Sequence, residues 1–211
     1  MEFKKITRLS IFIDYDNFSI SYCNKHDIEE EDISIWDGLS KGLLNYYENN
    51  FKNDFEVIEH TGTFLCVGMS DNLFYDEDKD LKERFQVLDR KTGFIVRYGY
   101  RDRSKKKKGK FILGKEKGVD AEIICQMMMG AFLNHYDACI LMSDDKDYIP
   151  AVRRIQDYFG KKVIQAGFIN GKLRNQAFSH IPLENTDEKL QFLNEAKKQL
   201  IPDIEKPAGI V

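Results

Sequence analysis

Ala138-Cys-Ile-Leu-Met-Ser-Asp-Asp-Lys-Asp-Tyr-Ile-Pro-Ala-Val-Arg-Arg-Ile-Gln-Asp-Tyr-Phe-Gly160-Lys-Lys-Val-Ile-Gln-Ala-Gly167 is the stretch that decides the fold. Ala138 to Met142 is an uninterrupted apolar run, the pattern of a strand buried on both faces of a parallel sheet. Tyr148 to Phe159 reads as a helix, with Pro150 tolerated in its first turn and Gly160 as its stop. Lys162 to Gly167 is a strand again. Strand, helix, strand is a βαβ unit, so an α/β layered fold with a mainly parallel central sheet is expected.

The same alternation extends upstream. Arg8 to Asp14 reads as the first strand, after which Asn17 or Ser19 can open a helical turn. Asp27 to Asp32 reads as a loop. Ile35, Trp36, Leu39, Leu43, Leu44 and Tyr47 recur at helical spacing behind Ser34 as N-cap. Phe55 to Val67 is a second strand, and Leu81, Arg84, Phe85 and Leu88 mark a helix ending before Gly93. Phe94 to Tyr98 is a third strand, and Val119 to Leu133 has the apolar density of a buried helix. Downstream come a short helix at Leu173 to Phe178, a short strand at Ile181 to Leu183 and a charged helix from Asp187 to Leu200. No linker or repeat marks a second domain, so one domain over residues 1–184 with a helical tail over 185–211 is expected; that tail helix could pack on a second copy.

The net charge of −3 offers no overall attraction to nucleic acid or to an anionic membrane, so any such partner must be held by a local patch. No segment has the apolar length of a signal peptide core or a membrane span, and a cytoplasmic location is expected. Cys23, Cys66, Cys125 and Cys139 lack metal-binding spacing and read as reduced packing residues. His26, His60, His135 and His180 show no zinc-ligand spacing either.

Two acidic clusters sit at strand exits: Asp14 and Asp16 after the first, and Asp144, Asp145 and Asp147 after the fourth. In open α/β sheets ligands bind outside the carboxyl ends of the strands, so two such exits can aim carboxylates at one place. Asp120 follows Gly118 at the start of the apolar helix. Each acid alone could simply cap a helix. Three acids within four residues exceed what capping needs, and converging carboxylates repel unless a cation balances them. Oxygen-only donors select magnesium or manganese, which suits phosphodiester chemistry.

Between these acids, Arg101-Asp-Arg103-Ser-Lys105-Lys106-Lys107-Lys108-Gly-Lys110 concentrates positive charge, with Lys115 and Lys117 beyond it. Such a loop can neutralise phosphates without reading sequence; it can equally be a solvated loop. Tyr98, Tyr100 and Phe111 flank it, either stacking on unpaired bases or, for at least two of them, joining the core.

Three segments carry a family resemblance. Ile11-Phe-Ile-Asp14 with Asn17, Lys117-Gly-Val-Asp120, and Leu141-Met-Ser143-Asp144-Asp145-Lys-Asp147-Tyr-Ile-Pro150 resemble, in order, the three motifs of the NYN family of PIN-like nucleases. The third family motif reads Ser-Gly-Asp-x-Asp-Phe-x-Pro. The likeness extends through Leu173 to Leu183 and spans roughly residues 8 to 184. It implies a PIN-like three-layer fold and a metal-dependent ribonuclease. On that resemblance Asp14, Asp120, Asp145 and Asp147 would be the metal-binding acids, with Asn17, Ser143, Asp16 and Asp144 in support and single-stranded RNA as partner. Asp144 departs from the family's glycine, which leaves open whether it tunes the metal or weakens catalysis.

Two other readings remain open on the sequence. One is an idle PIN-like module that binds RNA or protein. The other is a haloacid-dehalogenase-type phosphatase with Asp14 as covalent nucleophile, in which Asp120 has no role.

Overall fold

The computed structural model describes residues 5–18, 34–53, 56–70, 76–107, 110–112, 114–167 and 172–183. The expected loop at Asp27 to Asp32 and the tail helix from Asp187, with any pairing of copies through it, fall outside the described residues.

Strand β1 (Lys5–Asp14) runs into the single turn of α1 (Tyr15–Phe18). Helix α2 (Ser34–Asn50), strand β2 (Glu56–Met69), helix α3 (Asp76–Asp89) and strand β3 (Phe94–Arg101) follow. The stretch expected as a basic loop is instead a small hairpin, β4 (Lys105–Lys107) against β5 (Lys110–Ile112). A two-residue strand β6 (Glu116–Lys117) then leads into α4 (Val119–Phe132). The deciding stretch forms β7 (Ala138–Met142), a 3-10 turn at Lys146–Tyr148, α5 (Ile149–Phe159) and β8 (Lys162–Gly167). The short helix expected near Leu173 is only a 3-10 turn at Arg174–Gln176, and β9 (Ser179–Pro182) closes the described part.

The seven-stranded sheet has the order β6-β3-β2-β1-β7-β8-β9. Every pair in it is parallel except β3 with β6. β1 therefore has β2 on one side and β7 on the other, with the chain winding outward in both directions. That reversal creates a crevice at the carboxyl ends of β1 and β7, where an open α/β sheet binds its ligands.

Alternation along β1 divides the core. Ile11 and Ile13 pack with Trp36, Leu39 and Leu43 of α2 and Phe85 and Leu88 of α3. Phe12 packs on the other face with Ile123 and Met127 of α4 and Val152 and Ile155 of α5. The result is a three-layer α/β/α arrangement, as expected. Because side chains alternate along a strand, Asp14 falls on the face of Phe12, beneath the starts of α4 and α5.

Candidate metal centre

Asp14 is the last residue of β1 and is 1 % exposed. Its carboxylate is held on all sides: Oδ1 accepts the Asn17 backbone N–H at 3.3 Å, and Oδ2 lies 3.1 Å from Ser143 Oγ and 3.0 Å from the Tyr148 hydroxyl. Burial pushes its pKa up to about 6, against the hydrogen bonds from Asn17, Tyr148 and Ser143 that lower it. The nearby charge of Asp120 adds to the rise.

Asn17 supports the site from two directions. Its backbone N–H serves Asp14, while its side-chain Oδ1 accepts the Asp144 backbone N–H at 3.2 Å, tying the turn after β1 to the turn after β7. Ser143 makes a second tie, since its Oγ also accepts the Asp145 backbone N–H at 3.1 Å.

Asp120, Asp145 and Asp147 each place a carboxylate oxygen within 4.8 Å of the others. Asp120 sits in the first turn of α4, where the helix dipole favours a negative charge. Gly118 permits that helix start by taking a left-handed φ of 77°, with no atom near where a Cβ would stand. Close approach is made at Gly99, where a Cβ would come within 2.6 Å of Val119 Cγ2, so the bare backbone of β3 lets α4 settle onto the sheet. Asp145 is also a cap, its Oδ1 accepting the Asp147 backbone N–H at 2.9 Å. The structural and the ligand roles expected of it are compatible, because a carboxylate has a second oxygen.

Asp14 stands outside that triad and reaches it through Tyr148, whose hydroxyl is 3.0 Å from Asp14 Oδ2 and 2.9 Å from Asp120 Oδ1. Nothing in the sequence marks Tyr148 as more than the start of a helix. The motif has Phe there.

Asp144 turns away from the triad. Its Oδ1 accepts from Gln165 Nε2 at 2.8 Å, the same amide that donates to Ser143 O at 2.9 Å, and Gln165 is bonded in turn to His180 Nδ1. A side chain fits there because residue 167 has none: a Cβ on Gly167 would run into Asp144 Oδ1 and Gln165 Nε2. The departure from the family's glycine at 144 is thus matched by a glycine on the neighbouring strand.

Asp16 and Arg101 hold the edge of the site. Arg101 is 5 % exposed and its guanidinium bonds Asp16 Oδ2, Gly68 O at 2.8 Å and Gly114 O at 2.8 Å. Arg101 is therefore corrected from a surface RNA contact to an internal clamp. Asp16, expected to support a metal, instead pairs with that clamp. Glu116, between Lys115 and Lys117 in sequence, lies 3.9 Å from Arg101 Nη2. Burial, with the neighbouring Asp16, raises the pKa of its carboxyl, while Arg101 works against the rise.

By holding Gly114 O, Arg101 roots the β4–β5 hairpin beside Asp16, and a backbone bond from Asp102 N–H to Lys115 O closes the root at 2.9 Å. Arg103, Lys105, Lys106 and Lys107 are exposed. Lys110 opens β5, and Lys108 falls outside the described residues. Lys117 is exposed and bonds Asp102 at 3.1 Å. Tyr98 and Tyr100, expected in part as core, are 41 % and 49 % exposed. Two apart on β3, they share the face opposite the one on which Gly99 meets α4.

The NYN domain family model matches residues 8–184, nearly the whole of the described fold. The chain belongs to the NYN family. NYN domains are generally nucleases of PIN-like fold that act on RNA and use divalent metals, so a nuclease-type fold with an acidic triad able to hold a cation is what this member presents. Among solved structures, a protein of unknown function from Vibrio parahaemolyticus is similar in fold, with a TM-score of 0.52 at 16 % identity, covering 88 % of this chain and 96 % of that one. No curated protein matches the chain. No described helix is long and apolar enough to cross a membrane.

Proposed function

We propose that this NYN protein is a metal-dependent ribonuclease that hydrolyses phosphodiester bonds in single-stranded RNA. The observation that carries the reading is the convergence of Asp120, Asp145 and Asp147 in the crevice between β1 and β7, with buried Asp14 beside them. The donor set is all oxygen and all carboxylate, which fits a hard cation such as magnesium or manganese. Bound there, such an ion supplies an activated water and offsets charge on the scissile phosphate.

The chain's own residues divide the remaining work. Asp120, Asp145 and Asp147 hold the cation, and Asp14 with Asn17 and Ser143 keeps the two turns in register. The exposed cations of the β4–β5 hairpin, with Lys108 between its strands in sequence and Lys117 at its base, neutralise successive phosphates. Tyr98 and Tyr100 offer rings to unpaired bases, which favours a single strand over a duplex. The domain over residues 1–184 carries this work, and the protein works in the cytoplasm, in keeping with the free thiols of Cys66, Cys125 and Cys139.

The geometry argues against the two rival readings. A covalent nucleophile must be open to substrate, whereas Asp14 is buried and has both oxygens engaged. The idle-module reading draws on Asp144 in place of the motif's glycine, and that carboxylate is held by Gln165.

The test is cleavage of labelled single-stranded RNA with magnesium or manganese, comparing wild type with Asp145→Asn and Asp120→Asn. Metal-dependent cleavage that both variants lose supports the reading. Intact RNA with every divalent ion refutes it.

A further inference from the structure

Tyr148 is 0 % exposed and belongs to the buried cluster that includes Val119, Ile123, Leu141 and Val152. A phenylalanine, the residue of the family motif, would satisfy that packing equally well. What tyrosine adds is one hydroxyl, placed 2.9 Å from Asp120 Oδ1 and 3.0 Å from Asp14 Oδ2. The three residues come from three elements: Asp14 ends β1, Asp120 opens α4, and Tyr148 precedes α5. A buried polar group without function would be costly, and here the hydroxyl stands between two acids that would otherwise repel, with its one proton for Asp120 Oδ1 at the shorter distance.

Resting on the metal-centre reading, we propose that Tyr148 is a positioning residue that fixes the Asp120 carboxylate for the cation. Its hydroxyl occupies Oδ1 of Asp120 and leaves Oδ2 for an ion shared with Asp145 and Asp147. Asp14 backs the arrangement, since its Oδ2 meets the same hydroxyl and is itself held by Ser143. Without the hydroxyl, the Asp120 side chain regains rotational freedom and must be ordered again each time an ion binds, a cost of the kind that preorganisation removes. The effect falls on ion affinity and leaves the chemistry of a fully loaded site nearly unchanged.

The experiment compares wild type with Tyr148→Phe, the substitution that installs the motif residue and keeps the ring. Mn2+ affinity is measured by calorimetry or by the free-ion electron paramagnetic resonance signal, and RNA cleavage is followed at limiting and at saturating Mn2+. Tyr148→Phe is expected to weaken Mn2+ binding by about tenfold or more, the usual effect of removing a hydrogen bond behind a metal ligand, while kcat at saturating Mn2+ stays within about threefold. Cooperative thermal unfolding of the variant shows that the fold is kept. Mn2+ affinity within about twofold of wild type overturns the proposal, as does a fall in kcat with affinity unchanged, because the hydroxyl would then act in the chemistry and not in positioning. Failure of wild type itself to bind Mn2+ overturns the metal-centre reading and this inference with it, and that outcome is distinct from equal binding by both proteins.

Discussion

Asp14→Asn should make the metal-free protein more stable at neutral pH. The Asp14 carboxyl is raised from 3.8 to about 6, with burial as the main cause. At about 1.4 kcal/mol per tenfold change in proton affinity, holding its charge in the folded state costs ~3 kcal/mol above pH 6. The sign follows from which state binds the proton more tightly. The folded state does, so the penalty is absent below about pH 4, grows as pH rises through about 6, and is complete beyond. Asparagine keeps an oxygen for the Asn17 N–H and presents an amide that Ser143 Oγ and the Tyr148 hydroxyl can accept, so the packing survives. Imperfect geometry takes back part of the gain, and ~1–3 kcal/mol is expected at about pH 7.5 with chelator present, falling toward zero at about pH 4. Urea unfolding at the two pH values measures it. A variant less stable than wild type at pH 7.5, or one whose advantage is the same at both pH values, would refute the burial argument.

Gly167→Ala should destabilise by ~1–3 kcal/mol by crowding Asp144 and Gln165, and Asp144→Gly in the same chain should recover part of that stability; urea midpoints test both. Arg101→Gln leaves Asp16 unpaired and two carbonyls under-satisfied, and should cost ~3–5 kcal/mol. Alanine at Lys105, Lys106 and Lys107 together should leave stability within ~0.5 kcal/mol per site, yet weaken RNA binding and flatten its salt dependence by roughly 0.7 for each phosphate no longer neutralised. Tyr98→Ala and Tyr100→Ala should each lower single-stranded RNA affinity by ~1–3 kcal/mol without a matching fall in stability, read by fluorescence anisotropy and thermal melting.

The fold was legible because its central strands are buried on both faces. A run such as Ala138 to Met142 has no polar residue to confuse its period, and the helix and strand after it are punctuated by Pro150 and Gly160. The basic stretch failed as a strand signal because β4 is all lysine: both its faces are exposed, and no apolar alternation exists to be read. Convergence of Asp120, Asp145 and Asp147 could be anticipated, since each lies at the crevice end of its element. The hidden parts are those that depend on one side chain meeting a distant one. Arg101 looked like its basic neighbours, and only the carbonyls of Gly68 and Gly114 with Asp16 mark it as internal. Tyr148 and Gln165 are ordinary residues at helix and strand positions, and their partners lie on segments up to 134 residues away. Gly118 likewise shows its role only in the structure, where the helix start takes a left-handed φ there.

The central claim is that three carboxylates from two separate segments form one hard-cation site. Anomalous scattering from crystals soaked in Mn2+, at a wavelength near the manganese edge, tests it most directly. The account predicts a peak within ligand distance of Asp120, Asp145 and Asp147, at about 2.1–2.3 Å from each oxygen, which disappears in Asp145→Asn. No peak at saturating Mn2+, or a peak held by other residues with the triad bare, would contradict it.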